Sequence, residues 1–64
     1  MTVADYKERA KKLSFEALAY TLQDVAMTLP FHPESTPYAL KLADELEAYS
    51  AEYVARIRGV KNGA

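Results

Sequence analysis

Prolines divide the chain into two amphipathic stretches, and this division constrains the fold more than any other feature of the sequence. Pro30 and Pro33 lack an amide donor and disfavour helical geometry in the residue before each of them, so the segment 30–36 is predicted to separate two helices. Before it, apolar residues recur at alternating steps of three and four, which is the spacing of one helix face. They are Phe15, Leu18, Leu22, Val25 and Leu29. This pattern predicts a helix over 15–29 whose N-cap is Ser14.

The stretch after the prolines has its own start and stop signals. Thr36 is a capping residue and Pro37 can occupy the first helical position, where its ring is tolerated. Gly59 is predicted to stop the helix, which gives a span of 37–58. Its inward face is predicted to hold Ala39, Leu42, Leu46, Tyr49, Tyr53, Ile57 and Val60, widened on one flank by Leu40, Ala43 and Val54.

A third, shorter stripe lies at the start of the chain. Its apolar members are Val3, Tyr6, Ala10 and Leu13. Thr2 followed three residues later by Asp5 is a start signal for a helix, so a first helix is predicted over 3–12.

These three elements predict an all-α fold. Two long helices joined by a short loop form an antiparallel hairpin, 15–29 with 37–58, and the short N-terminal helix 3–12 packs across its open end. The whole chain, 1–64, is predicted to be one helical domain. A domain of this size buries only about 60% of the surface of its unfolded chain, and the sequence has no cysteine to supply a disulfide. Self-association into a homo-oligomer is therefore expected.

Positive charge is concentrated in two terminal stretches, and the hairpin is predicted to bring them to one pole of the molecule. The members of this basic pole are Lys7, Arg9, Lys11, Lys12, Arg56, Arg58 and Lys61. Such a cluster can bind phosphate backbones, which makes a nucleic-acid-binding accessory protein the alternative function. A structural explanation is also open for Arg56 and Arg58, because bases in the last turn of a helix complement its dipole. The formal net charge of −1 makes nucleic acid the less favoured partner.

The sequence predicts neither a catalytic site nor a metal site. The single histidine, His32, lies near Glu34 and Ser35, but a seven-residue proline loop gives a triad no rigid frame and no oxyanion hole, so His32 is interpreted as a solvated loop residue. One histidine with scattered carboxylates has no metal-ligand spacing. Both glycines, Gly59 and Gly63, follow the predicted third helix, so no phosphate-binding loop and no cofactor are expected.

A candidate partner surface lies on the outer sides of the two long helices. Three small residues, Ala48, Ala51 and Ala55, fall together on the third helix opposite its main stripe, where another helix could approach closely. On the second helix, Tyr20 and Met27 lie opposite the leucine stripe. The alternative is an ordinary wet surface, since alanine is a strong helix former. As a binding surface, these residues indicate a protein-protein interaction module whose partner is a second copy, an unidentified protein, or both.

The sequence predicts a cytoplasmic protein. Residues 1–12 contain no apolar run of the kind found in a secretory signal, and nowhere do 18 apolar residues follow one another. No membrane association is expected.

Two stretches, 18–24 (LAYTLQD) and 38–46 (YALKLADEL), resemble those of short helical accessory proteins encoded by phages and prophages of bacteria. The resemblance covers most of the chain. It implies a small protein that acts by binding a host or phage component, in some cases to inhibit it, and it assigns no functional residues.

Overall fold

The computed structural model describes residues 2–32 and 35–63, with side chains as far as residue 59. The chain is all-α, as predicted, with three helices and no strand in the described part. Helix α1 spans Val3–Lys11, α2 spans Phe15–Thr28 and α3 spans Pro37–Gly63. A short 3₁₀ turn, Leu29–Phe31, follows α2 directly.

Each helix begins at the polar residue that the sequence indicates. Thr2 and Asp5 form a capping box, in which the Thr2 hydroxyl accepts from the Asp5 amide and the Asp5 carboxylate accepts from the Thr2 amide. The Ser14 hydroxyl accepts from the Ala17 amide at 3.1 Å, and the Thr36 hydroxyl accepts from the Ala39 amide at 3.1 Å. These caps confirm the three predicted starts.

The predicted end of α2 at residue 29 lies within one residue of its observed end at Thr28, whereas the predicted end of α3 is wrong. α3 does not stop at residue 58 but continues through Gly59 to Gly63. Gly59 has a right-handed backbone and open space around its Cα. One glycine inside a helix costs only about 1 kcal/mol relative to alanine, and the hydrogen bonds of the flanking helical turns can offset that cost. At Pro30 the chain does not leave helical geometry at once. Pro30 lies at the start of the 3₁₀ turn, where its missing amide donor is not needed.

The other two helices both pack on α3. The Tyr6 ring meets the Tyr49 ring edge-on at 6.3 Å, and Ala10 lies beside Arg56, so α1 runs parallel to the second half of α3. α2 returns antiparallel along α3, with Phe15 against Tyr53. α1 and α2 touch each other little. The two short helices therefore occupy neighbouring sides of one long helix.

The core is thin and lies along the inner side of α3. Its buried members are Tyr6, Ala10, Leu18, Val25, Leu42, Ala48 and Tyr49. Leu13, Leu22, Leu46 and Tyr53 are partly buried around them. The molecule is elongated, 42 × 21 × 16 Å, with a radius of gyration of 12.4 Å against about 11 Å for a compact chain of this length.

Candidate interaction surface

Ala48 belongs to the core and not to a free surface, which corrects the prediction for this residue. It is 0% exposed and lies in the same cluster as Tyr6 and Ala10 of α1. A small side chain here lets a second helix approach α3 closely, as predicted, but that helix is α1 of the same chain. Ala51 and Ala55 stay exposed beyond the edge of this contact.

Arg56 is turned inward and ties α1 to α3. Its Nη2 donates to the carbonyl oxygens of Ala10 at 3.0 Å and Leu13 at 2.7 Å, and its Nε donates to Glu52 Oε2 at 2.7 Å. The carbonyls at a helix C-terminus lack intrahelical donors and carry partial negative charge, so a guanidinium satisfies them well. The sequence placed Arg56 in the last turn of its own helix. Because α3 runs to Gly63, Arg56 instead stabilises the end of α1.

We expect Arg56→Gln to loosen α1 selectively. Losing these charge-assisted hydrogen bonds and leaving Glu52 unpaired should cost about 1.5–3 kcal/mol. Amide hydrogen exchange, followed by mass spectrometry, should show faster exchange over Val3–Lys11 while α2 keeps its protection. Arg58→Gln, the same change at an exposed position two residues on, is the control. Equal protection of α1 in both variants would show that Arg56 does not hold this helix.

The structure brings the two basic stretches together but reduces the basic pole. Lys7, Arg9, Lys12 and Arg58 are exposed, as a binding pole requires. Lys11 is exposed as well, and its ammonium pairs with Glu8 Oε1 at 3.3 Å. Arg56 is occupied by α1, and the side chain of Lys61 lies outside the described residues. The pole therefore presents fewer bases than the sequence suggested.

Two to three turns before Arg56 on α3, the side facing α1 contains a buried acid and a buried tyrosine, Glu45 and Tyr49. Glu45 Oε1 pairs with Lys41 Nζ at 3.4 Å. Burial, and secondarily the negative charge of Glu45, raises the pKa of the Tyr49 hydroxyl above its ordinary value of 10.0. Because the pKa of Tyr49 is higher in the folded chain than in the unfolded chain, its contribution to stability is fully present at pH values below the unfolded-state pKa. That contribution is lost as the pH rises through the folded-state pKa. Tyr49 is thus neutral at neutral pH and acts as a packing residue.

The apolar flank that the sequence assigned to the core is exposed. In that flank Leu40 is 55% exposed and Val54 42%, and Ala43 is exposed as well. Ile57, which was predicted on the main inward stripe, is also 44% exposed. The reason is that α1 packs on the opposite flank of α3, so the buried face is centred nearer Glu45 and Ala48 than the apolar pattern indicates. We call the exposed row along α3 the α3 seam. It consists of the exposed residues Leu40, Ala43, Glu47, Val54 and Ile57 together with the half-buried Ser50.

α2 extends this exposed apolar area. Phe15, predicted on the inward stripe, is 46% exposed, and its ring lies 5.1 Å from that of Tyr53, next to the α3 seam. At 100° per residue, Ala19 and Ala26 share the Phe15 side of α2. Tyr20 and Met27 are exposed, as predicted, but they point away from both other helices and do not adjoin the seam.

His32 lies in the loop after the 3₁₀ turn, as predicted, but it is only partly exposed to solvent. It is half-buried, and its ring packs edge-on against Tyr38 at 4.8 Å, while Lys41 Nζ lies 5.9 Å from the centre of the same tyrosine ring. The proximity of His32 to Glu34 cannot be followed, since Glu34 lies outside the described residues. The part of the chain that the structure describes forms no pocket.

The α3 seam was missed because its signal competes with that of the core stripe. Its six members recur at steps of 3, 4, 3, 4 and 3, which is the a/d pattern of a heptad repeat. Glu47 and Ser50 interrupt its apolar character in the middle, so hydrophobicity alone does not reveal it. The spacing itself was the available signal.

None of the described helices is both long enough and apolar enough to cross a membrane. Comparisons with protein-family models, with curated proteins and with solved structures found no match to this chain.

Proposed function

We propose that this chain is a helical protein-protein interaction module that acts in the cytoplasm by binding a partner helix along the α3 seam. One observation carries the proposal: a row of large apolar side chains, Leu40, Val54 and Ile57, is between 42% and 55% exposed along one side of α3. Apolar surface gathered in one patch is typical of interaction sites, whereas scattered apolar residues are ordinary on any protein.

The geometry of the seam favours a helix as the bound element. The a/d spacing gives a narrow, straight stripe about 26 Å long from Leu40 to Ile57 at 1.5 Å per residue. Ala43 and Ser50 are small and leave room for knobs from a facing helix. The resemblance to phage and prophage accessory proteins agrees with this class of function, since such proteins act by binding.

Binding through the seam is favoured over the two other functions considered. The basic pole loses Arg56 to α1, which weakens the case for a nucleic-acid-binding accessory protein. For catalysis, the side chains that the structure describes include no converging set of polar groups that would support a reaction, and we propose no enzymatic activity.

Site-specific photo-crosslinking in the source cells tests the proposal. A photoreactive amino acid at Leu40 or Val54 should give discrete adducts, either of twice 7.2 kDa or with another protein, because a bound helix lies against these positions. The same amino acid at Tyr20 is the control, an exposed aromatic position on α2 away from the seam.

Adducts from Tyr20 and none from the seam positions would move the binding surface to the outer side of α2. No discrete adduct from any of the three would contradict a protein-binding function.

A further inference from the structure

We infer that the α3 seam takes a second copy of this chain, with the two α3 helices antiparallel about a two-fold axis. The inference rests on the proposed function and names its partner. It comes from a symmetry within the seam: the residues of each end match those of the other end when one copy is turned round.

The seam is self-complementary in size. Turning a second copy about an axis midway between Ala48 and Tyr49 places Leu40 opposite Ile57 of that copy and Ala43 opposite Val54. In antiparallel coiled coils each a position faces a d position, as these pairs do. A large side chain then faces a large one at the ends of the seam, and a small one faces a branched one farther in. Both apolar pairs occur twice, since a two-fold interface repeats every contact.

The polar residues of the seam select the direction and the register. In the antiparallel arrangement Glu47 faces Ser50 of the other copy. The Ser50 hydroxyl donates to the backbone carbonyl of its own Glu47 at 3.1 Å in the single chain, and in the dimer it would turn to donate to the facing carboxylate instead. In a parallel arrangement Glu47 would face another Glu47, which like-charge repulsion opposes. A shift by one heptad would place Glu47 against Ile57 or Ala43 and leave its carboxylate without a polar partner. Polar residues at seam positions fix coiled-coil register in this way at some cost in affinity.

Charges beside the seam are also complementary. Asp44 and Arg58 directly follow Ala43 and Ile57, and neither makes an ion pair within the described part of the chain. The two-fold axis brings Asp44 of one copy near Arg58 of the other, within reach of the long arginine side chain. Ala51, midway between Asp44 and Arg58 of the same helix, lies close to the axis and offers no obstacle. The rim of the proposed interface therefore pairs opposite charges twice.

The available surface is sufficient for a weak, specific dimer. The accessible surface is 4635 Å², against about 4,100 Å² for a compact monomer of 7.2 kDa. The same axis brings the Phe15 sides of the two α2 helices together beside the seams, so the pair forms a four-helix bundle. A face 26 Å long and two helices wide gives roughly 1,000 Å² in total, near the lower limit for a specific interface.

Disulfide trapping tests the arrangement directly, because the chain has no cysteine of its own. Ala43→Cys and Val54→Cys proteins are mixed in equal amounts, oxidised, and weighed intact by mass spectrometry. The mixed dimer should exceed either homodimer at least about tenfold, because residues 43 and 54 face each other while like residues lie about 16 Å apart.

Two measurements on unlinked protein complete the test. The parent chain should sediment at twice 7.2 kDa at about 100 µM, and Val54→Glu should sediment as a monomer. Met27→Glu, a charge introduced at an exposed position away from the seam, should leave the dimer intact. Circular dichroism confirms that each variant is folded.

Each other outcome contradicts the inference. An excess of the two homodimers would indicate parallel helices. Homodimer, mixed dimer and homodimer in the random ratio 1:2:1 would indicate that the disulfides form by collision without a defined interface. A parent chain that stays monomeric removes the second copy as partner. If photo-crosslinks from Leu40 and Val54 to another protein persist in that case, the proposed function stands and only its partner changes. If they are also absent, both proposals are wrong.

Discussion

Replacing Leu18 by alanine should remove a large share of the stability of the fold. Leu18 is 0% exposed and lies on α2 where it meets the core between α1 and α3. Truncating a buried leucine costs about 2–5 kcal/mol, the transfer free energy of the lost atoms plus the cavity that remains. A domain of this length has about 3–10 kcal/mol in total. Urea unfolding followed by circular dichroism should therefore show a much lower midpoint, or no folded baseline.

The matched control is Met27→Ala on the same helix. Met27 is 63% exposed on the outer side of α2, so its truncation should change the free energy of unfolding by less than about 0.5 kcal/mol. Both variants are compared with the parent at one protein concentration, because any self-association makes the midpoint depend on concentration. Similar midpoints for the two variants would mean that the inner face of α2 is wrongly assigned.

Local signals predicted the helices well because capping chemistry acts over a few residues. The hydroxyls of Thr2, Ser14 and Thr36 each accept a hydrogen bond from the backbone amide three residues further along the chain. The end of α3 was wrong because a glycine is only a weak stop signal. A glycine ends a helix when its surroundings stabilise a left-handed backbone at that position. The backbone of Gly59 stays right-handed, so the helix continues through it.

The face that α3 buries could not be predicted from α3 alone. Either of two flanks beside the core stripe of α3 could have been buried with it. One is apolar and contains Leu40 and Val54, and the other is more polar and contains Glu45 and Ala48. α1 decides between them, and its docking depends on Arg56 reaching the carbonyls of Ala10 and Leu13. These contacts join residues more than 40 positions apart in the sequence, which helical periodicity does not report. The same choice leaves the apolar flank exposed and creates the α3 seam.

Ala48→Glu should displace α1 from α3. Ala48 is 0% exposed beneath α1, and a carboxylate there would be buried without a partner. Glu45 and Glu52 lie three and four residues away on the same helix face, so the new charge would also meet two like charges. An uncompensated buried charge costs about 3–5 kcal/mol, which is more than a nine-residue helix can recover from its own hydrogen bonds.

Hydrogen exchange and urea unfolding together separate the loss of α1 from global unfolding. In Ala48→Glu the amides of Val3–Lys11 should exchange nearly as fast as in the unfolded chain, and the unfolding midpoint should fall. Ala55→Glu is the matched control, because it places the same charge on an exposed position seven residues further along α3. It should leave both measurements close to those of the parent chain. If the two variants instead behave alike, Ala48 lies on an open surface with Ala51 and Ala55, and α1 does not cover this side of α3.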